Sequence, residues 1–251
     1  MRKLEGLLGC RLLFRDTRND ALTAQGERLL GPARAMVVQA DTLLARFSAK
    51  ALTGEVRFGS PEDFASAYLP EVLGTFAAAH RSIELHVSCQ LTLPLIAEFE
   101  AGHHDLIVIN QYTNTPGNGA KMLWRERLVW VAGPGWVNDL TCTVPLVLSA
   151  APCVYRNRAV SALCAAGRPC SSAFTSPSFA GVVATFRAGL GVTVMPQAMM
   201  PPGFVTLDNL PNLAETELAL LTTPRPGAAV SALVEFVTTR VYRKSGQALK
   251  G

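Results

Sequence analysis

Polar side chains follow two strand-like segments at the points where helices are predicted to begin. Ser60 and Asp63 come after the strand-like residues 56–58, and Gln90 and Thr92 come after the next such segment. Groups of these types either cap helix N-termini, as we expect of Ser60, Asp63 and Thr92, or bind a small polar ligand. Because ligands of open parallel sheets lie beyond the carboxyl ends of the strands, the two junctions are predicted to face one cleft.

The second half of the chain offers polar residues for the opposite wall of such a cleft. The candidates are two residues at a predicted helix start and three in a short turn: Tyr155, Arg156, Thr175, Ser176 and Ser178. Their hydroxyl and guanidinium groups can hydrogen-bond a ligand. Two interpretations stay open, since these residues either form an effector site or serve only as caps and turns.

The sequence lacks the motifs of common catalytic chemistry. It contains no GxSxG, no HExxH, no P-loop and no GxGxxG after a strand. The four histidines are predicted to be solvated, and the six cysteines show neither CxxC pairs nor zinc-ligand spacing. We therefore expect no enzyme, no metal and no cofactor. Reduced cysteines, and the absence of a signal peptide or an 18-residue apolar run, predict a cytoplasmic protein without membrane contact.

Strand-like and helical segments alternate along residues 53–251. This order predicts βαβ units and a parallel sheet. We expect two lobes joined by two strands, with lobe I at about 53–132 and 222–251 and lobe II at about 133–221. The cleft would lie between these lobes.

One long helix is predicted at residues 24–52, ahead of the alternating region. Thr23 can cap it, and Pro32 predicts a kink or a short first helix. Apolar residues recur along it at alternating spacings of four and three, at Leu29, Ala33, Met36, Ala40, Leu43 and Phe47. Such a seam favours pairing with a second copy, and the alternative is a helix packed on its own domain.

Residues 1–23 are short, basic and rich in turn formers. A helix ending at Gly9 and a small β-wing are predicted there. Residues 1–34 hold three of the four net positive charges, which indicates either a polyanionic partner or simply a solvated helical face.

The residue pattern over nearly the whole chain resembles LysR-type transcriptional regulators. The matching positions run in order from Leu4-Glu5, Leu8-Gly9, Leu12-Leu13, Arg15, Arg18, Leu22-Thr23 and Gly26 to residues 54–59, Leu69-Pro70, Ala101-Gly102, Asp105, residues 188–191 and Pro196. Leu13 stands where the family usually has Phe. The resemblance implies an α/β fold, with a periplasmic-binding-protein-like two-lobed effector domain at 53–251. It also implies a partial winged helix-turn-helix at 1–23 and a linker and dimerisation helix at 24–52.

The resemblance also implies a DNA-binding regulator that forms a homodimer, or a tetramer, and responds to a small-molecule effector. The family has roughly thirty more residues ahead of the position of Met1, which hold most of the recognition helix. Arg2, Lys3, Arg15 and Arg18 remain for phosphate contacts, so we expect weak or lost specific DNA binding. The alternative function is a small-molecule-binding and dimerisation module without specific DNA binding.

One position departs from what the resemblance implies. Asp63 falls where related sensors often place a small hydroxyl that binds an anionic effector. A carboxylate there, beside Glu62, predicts that simple dicarboxylates bind poorly unless Arg156 neutralises it.

Overall fold

The computed structural model describes residues 1–15, 20–48, 52–113, 115, 119–134, 136 and 143–248. At the N-terminus, helix α1 (Arg2–Leu8) ends at Gly9, whose φ of 65° is the left-handed conformation that glycine adopts without strain. Strands β1 (Leu13–Arg15) and β2 (Asp20–Leu22) pair antiparallel. The predicted helix end and β-wing are both confirmed.

Helix α2 (Ala24–Ser48) is one continuous helix of 25 residues. The Thr23 Oγ1 atom accepts a hydrogen bond from the Gly26 N–H at 3.0 Å, which confirms the predicted cap. Pro32 lies inside the helix, so the predicted separate first helix is wrong. Gly26 packs so closely on the wing that a Cβ there would stand 2.1 Å from the Leu12 carbonyl oxygen.

The rest of the chain builds one mixed sheet with helices on its faces. Its strands are β3 (Gly54–Ser60), β4 (Ile83–Cys89), β5 (Leu106–Tyr112), β6 (Lys121–Ala132), β7 (Val144–Ser149), β8 (Cys170–Ser176), β9 (Val192–Pro196), β10 (Val205–Thr206) and β11 (Glu215–Thr222). The order is β4-β3-β5-β11-β6-β9-β7-β8, with β10 paired to β6. The helices are α3 (Glu62–Ala79), α4 (Thr92–Glu100), α5 (Val154–Ala165), α6 (Phe179–Arg187) and α7 (Ala228–Ala248). Among the described residues, no helix is both long and apolar enough to cross a membrane.

Strand direction changes in the middle of this sheet. The β3 strand pairs parallel with β4 and β5, and β7 pairs parallel with β8 and β9. Strand β11 is antiparallel to both β5 and β6, and β6 is antiparallel to β9. The sheet is therefore mixed, where the alternation of segments had predicted a parallel one.

Strand β6 belongs to both halves of the molecule. Its residues 121–127 pair with β11, and its residues 128–132 pair with β9 and β10. Separate buried clusters lie on either side of this point: Val56, Phe58 and Leu218 belong to one, and Leu128 and Val192 to another. We name the half that holds β3, β4, β5, β11 and the first part of β6 lobe I, and the half that holds β7 to β10 and the rest of β6 lobe II.

The chain changes lobe close to where the sequence predicted, but a few residues earlier on both passes. Residues 128–132 lie in lobe II, and all of β11 lies in lobe I, whereas the predicted lobe boundaries followed residues 132 and 221. On the return pass, Ala214 has a φ of 55°, which is uncommon for a residue with a side chain. The register of β11 against β5 explains the shift, because seven consecutive residues of β11 pair with that lobe I strand.

Candidate functional site

A cleft of about 260 Å³ lies between the two lobes. The first residues of four helices line it, α3 and α4 from lobe I and α5 and α6 from lobe II. Backbone N–H groups at helix N-termini point outward without helical partners, so such a cleft suits a polar ligand. Apolar side chains, including Leu148, Val182 and Met195, line the lobe II side.

Asp63 supplies a buried carboxyl to the lobe I wall. Its side chain is in the first turn of α3, and only 7% of the residue is exposed. The Oδ1 atom accepts the Phe64 N–H at 2.8 Å, and the Oδ2 atom accepts Asn110 Nδ2 at 3.4 Å. Burial raises the pKa of Asp63, and these hydrogen bonds oppose the rise.

Asn110, near the end of β5, forms the floor beside Asp63. Its backbone N–H donates to Thr92 Oγ1 at 3.2 Å, which ties α4 to β5. Because a carboxylate can only accept, the Asn110 side chain turns its Nδ2 group toward Asp63. The Oδ1 atom, on a residue that is 4% exposed, has no hydrogen-bond partner in the part of the chain that the structure describes. A buried acceptor without a partner costs free energy, and a ligand donor would remove that cost.

Tyr155 faces this floor from lobe II. Its hydroxyl is buried near the Asp63 carboxyl, and by distance and angle it has no hydrogen-bond partner among the described residues. Burial, followed by the charges of Asp63 and Glu126, raises the pKa of Tyr155, so the phenol stays protonated. The floor thus holds one unpartnered acceptor, Asn110 Oδ1, and one unpartnered hydroxyl.

Two residues that line the cleft make a direct contact between the lobes. The Glu62 carboxylate, at the start of α3, accepts the backbone N–H of Phe179, the first residue of α6. Ser178 caps the same helix by accepting the Gly181 N–H at 3.1 Å. Two of the N-terminal donors of α6 are therefore occupied by groups of the protein itself.

Arg156 lines the cleft but does not pair with Asp63. Its Nη1 atom donates to the Ser149 carbonyl oxygen at 3.1 Å and to Thr175 Oγ1 at 3.5 Å. Both contacts stay within lobe II. The neutralisation of Asp63 by Arg156, which the sequence left open, is therefore absent from the described contacts.

Five of the nine candidate effector residues line the cleft: Asp63, Gln90, Thr92, Tyr155 and Arg156. Gln90 donates to Glu98 Oε1 at 2.8 Å, and this hydrogen bond fixes the position of its amide group. The expected capping by Thr92 is wrong, because Thr92 is the first helical residue after Leu91 and its hydroxyl accepts from Asn110 instead.

The other four candidates lie outside the lining of this cleft. Ser60 is fully buried and donates to the Pro61 carbonyl oxygen, and Pro61 itself takes the cap position of α3, so the expected Ser60 cap is wrong. Ser176 accepts the Ser178 N–H, and Ser178 caps α6. Thr175 is exposed and hydrogen-bonds Ser172. These hydroxyls satisfy local backbone and side-chain groups, which is the cap-and-turn interpretation.

Sequence reasoning missed Asn110, Glu62 as an interlobe contact, and the cleft position of Cys153. A signal existed for Asn110, since a polar residue directly follows the apolar run at residues 106–109. Such a residue lies at the carboxyl end of a central strand, where ligands of open sheets are found. No local pattern indicates that Glu62 reaches α6, because the two are 117 residues apart.

The N-terminal candidates are only partly described. Lys3 is exposed on α1, whereas the side chains of Arg2 and Arg15 and the whole of Arg18 lie outside the described residues. Along α2, Leu29 and Ala33 are half-buried, while Met36 is 71% exposed and Ala40 is also exposed. The side chains of Leu43 and Phe47 lie outside the described part. Helix α2 also contacts α3 of its own chain, as the alternative predicted, and its pairing with a second copy stays a prediction.

Comparison with known proteins identifies the chain's family. Residues 49–241 match the family model described as the LysR substrate binding domain. The chain is 32% identical over 243 residues to the HTH-type transcriptional regulator DgdR of Burkholderia cepacia, covering 94% of this chain and 81% of that protein. It is 30% identical over 239 residues to a probable hydrogen peroxide-inducible genes activator of Mycobacterium avium, covering 90% and 74%.

A solved structure shares the fold. The LysR family transcriptional regulator HinK of Pseudomonas aeruginosa superposes with a TM-score of 0.60 at 18% identity, covering 97% of this chain and 87% of that one. The expected α/β fold with a periplasmic-binding-protein-like domain is confirmed. The family consists of transcriptional regulators and not of enzymes, which agrees with the lack of catalytic motifs. The chain belongs to the LysR family of transcriptional regulators.

Proposed function

We propose that this chain is a DNA-binding transcriptional regulator that responds to a small-molecule effector bound in the cleft between its lobes. The observation that carries the proposal is the pair of unpartnered polar groups, Asn110 Oδ1 and the Tyr155 hydroxyl, buried at the floor of that cleft. Buried polar groups in native proteins are almost always hydrogen-bonded, and exceptions occur where a ligand binds. Asp63, Gln90, Thr92 and Arg156 complete the proposed effector site.

The signal in this proposal is a change in lobe closure. The lobes share strand β6 and touch at the Glu62–Phe179 contact, so a ligand that binds between them favours one relative position. A ligand shifts such an equilibrium only by its differential affinity for the two positions. Lobe I follows α2 in the chain and packs on it through α3, which gives the change a route to the DNA-binding end.

Dimerisation through α2 and phosphate contacts near the N-terminus complete the proposal. The exposed Met36 and Ala40 continue the seam of Leu29 and Ala33 and would pack on a second copy. Arg2, Lys3, Arg15 and Arg18 would contact DNA phosphates, which fixes register but confers little sequence choice. We therefore expect these contacts to make the binding of DNA depend strongly on salt.

Peroxide sensing, suggested by the name of the Mycobacterium avium relative, is a poor fit to the cleft thiols. Cys89 and Cys153 line the cleft from opposite lobes, and burial raises the pKa of each thiol. Peroxide reacts with the thiolate form, so these thiols are expected to react slowly at neutral pH.

The function is tested by thermal unfolding against a panel of small metabolites, followed by gel-shift assays. An effector at a hundred times its Kd should stabilise the protein by about 2.7 kcal/mol and should change its affinity for DNA from its own upstream region. The control is Tyr155→Phe, which removes one unpartnered hydroxyl and should weaken the stabilisation. If no compound in a broad panel stabilises the protein, the proposed effector role is refuted.

The competing function is a small-molecule-binding and dimerisation module without specific DNA binding. The same gel-shift assay, run at about 50 and about 200 mM salt with a scrambled duplex as competitor, separates the two. A regulator prefers its own upstream DNA at both salt concentrations. Equal affinity for the two duplexes, lost together at the higher salt, would favour the module.

A further inference from the structure

The cleft has many helix N-termini, yet several of their donors are already satisfied by the protein. The Asp63 carboxylate accepts the Phe64 N–H of α3, Glu62 accepts the Phe179 N–H of α6, and Ser178 accepts the Gly181 N–H of α6. Helix N-termini favour anions through these donors and through their dipoles. Here two carboxylates of the chain already stand at two of these termini, so an anionic ligand would approach groups of its own sign.

The group that lacks a partner at the floor is an acceptor. Asn110 Oδ1 is unpartnered because its amide donates Nδ2 to Asp63, and that orientation is fixed as long as Asp63 is a carboxylate. A ligand group placed between the two side chains would meet an amide oxygen on one side and a carboxylate oxygen on the other. A group with two or more donors, such as an ammonium group, satisfies both.

Nearby cations do not cancel this preference. Arg156, the cleft-lining cation among the described residues, donates to Ser149 and Thr175 on the lobe II side. Within the described residues, the groups around Asp63 are neutral: the Phe64 N–H, the Asn110 amide and the neighbouring Tyr155 phenol. A cationic donor from the ligand would provide the counter-charge that the buried carboxylate lacks.

We infer that the effector carries a primary amine, which binds as an ammonium group between Asp63 and Asn110 Oδ1. The inference rests on the proposed function and names the chemical class of the effector. The apolar lobe II wall, formed by residues such as Leu148, Val182 and Met195, would cover the carbon skeleton. The small volume of the cleft fits a small metabolite better than a nucleotide.

The test uses three ligands of equal length, hexylamine, hexanol and hexanoate, titrated at pH 7.5 into the whole chain. Binding is followed by protein NMR, which measures Kd values in the millimolar range. We expect hexylamine to bind about tenfold or more tightly than either analogue, because it alone makes charge-assisted hydrogen bonds to the floor. Equal or tighter binding of hexanoate or hexanol would overturn the inference.

The variant Asp63→Asn sharpens the test because it reverses the hydrogen bonding of the floor. The amide that this substitution introduces can donate to Asn110 Oδ1, so the Asn110 amide can rotate and present its N–H₂ group to the cleft. Hexylamine should then bind about tenfold more weakly, and hexanoate should bind no more weakly than before. Asp208→Asn, on an exposed loop of lobe II, is the matched control and should leave all three Kd values unchanged.

The failure of this inference and that of the effector role have different signatures. If hexylamine does not bind, or if Asp63→Asn leaves its Kd unchanged in a protein with a native NMR spectrum, the amine assignment is refuted. An anionic or neutral compound from the metabolite panel that stabilises the protein would leave the effector role intact. If that panel yields no ligand either, both proposals fall.

Discussion

Asp63 costs the protein stability in the absence of a ligand. Its carboxyl is almost fully buried, and burial is the main reason that its pKa is raised. The titratable groups around it are Tyr68, Glu126, Cys153 and Tyr155, and at neutral pH none of them supplies a positive charge. A residue kept at such a cost is characteristic of a binding site.

The variant Asp63→Asn is expected to raise the free energy of unfolding of the ligand-free protein at pH 7.5 by about 1 kcal/mol. The folded protein binds the Asp63 proton more tightly than the unfolded chain does. The stability of the wild type should therefore fall as pH rises from about 3.9 through the raised pKa of Asp63. Urea unfolding of both proteins across pH gives the difference, which isolates Asp63 from other carboxyl groups.

Asp105 provides the opposite sign within the same measurement. Its side chain accepts from the backbone and the guanidinium group of Arg57, and these hydrogen bonds lower its pKa. The stability that it contributes is present above its unfolded pKa and is lost as pH falls through the lower folded value.

If Asp63→Asn proves less stable than the wild type at pH 7.5, the account of Asp63 as an uncompensated carboxylate is wrong.

Single residues of the site could be predicted only where they sit next to a recognisable junction. Asp63, Gln90 and Thr92 follow strand-like segments, and the structure brings all three to the cleft. Ser60 has an equally suitable residue type, but its side chain turns into the protein and donates to the Pro61 carbonyl. The direction of a side chain at a strand end depends on tertiary packing, which a local pattern does not encode.

At the scale of elements, helix α2 exposes part of its apolar seam. Met36, a seam residue, is 71% exposed, and its neighbour Val37 is 49% exposed. Such exposure is unusual for large apolar residues on a helix that packs on its own domain. The exposed seam is expected to be buried between two copies of the chain.

The variant Met36→Glu should weaken the dimer by about tenfold or more, because two like charges would then face each other across the seam. Sedimentation velocity over a range of protein concentrations measures the effect. The matched control is Ala35→Glu, which adds the same charge at an exposed position of the same helix that lies away from the predicted seam. The seam is misassigned if both variants dimerise as the wild type does.

Elements with strong periodicity were predicted well. The alternating residues of β4 and the apolar run of β5 lie where expected, and Gly9 and Thr23 end and begin their helices as predicted. Helix α3 begins at the junction where a helix was predicted, and it runs through Pro70 to Ala79. The first half of β6 was not predicted. In β6, residues 125–127 are all charged and therefore show no apolar pattern, although they pair with residues 215–217 of β11.

At the scale of the whole molecule, Arg158 joins the two lobes. It projects from α5 in lobe II and is 6% exposed. Its guanidinium group donates to the carbonyl oxygens of Glu215 in β11 and Gln111 in β5, and it lies 4.3 Å from the centre of the Tyr112 ring. This contact and the Glu62–Phe179 hydrogen bond hold the lobes together at two separate places.

The variant Arg158→Met keeps much of the side-chain volume but removes the two hydrogen bonds that Arg158 donates to lobe I. We expect a loss of about 1–3 kcal/mol in the free energy of unfolding and a larger radius of gyration, as the lobes separate more readily. Chemical denaturation and small-angle X-ray scattering measure these effects. Arg81→Met, at an exposed position of lobe I, is the control. A radius of gyration unchanged from the wild type would show that Arg158 does not restrain the lobes.

Because the chain leaves lobe I after residue 127 and returns at β11, lobe II is an insertion within lobe I. Strand β5 pairs along its whole length with β11, which follows it by more than a hundred residues. During synthesis on the ribosome, this strand of lobe I therefore cannot pair with β11 until about a hundred further residues have been made. Contacts of such long sequence separation slow folding and leave apolar strand edges open in the nascent chain. Lobe II, whose segments from residue 128 to 214 are contiguous, can fold first and bring the two ends of lobe I together.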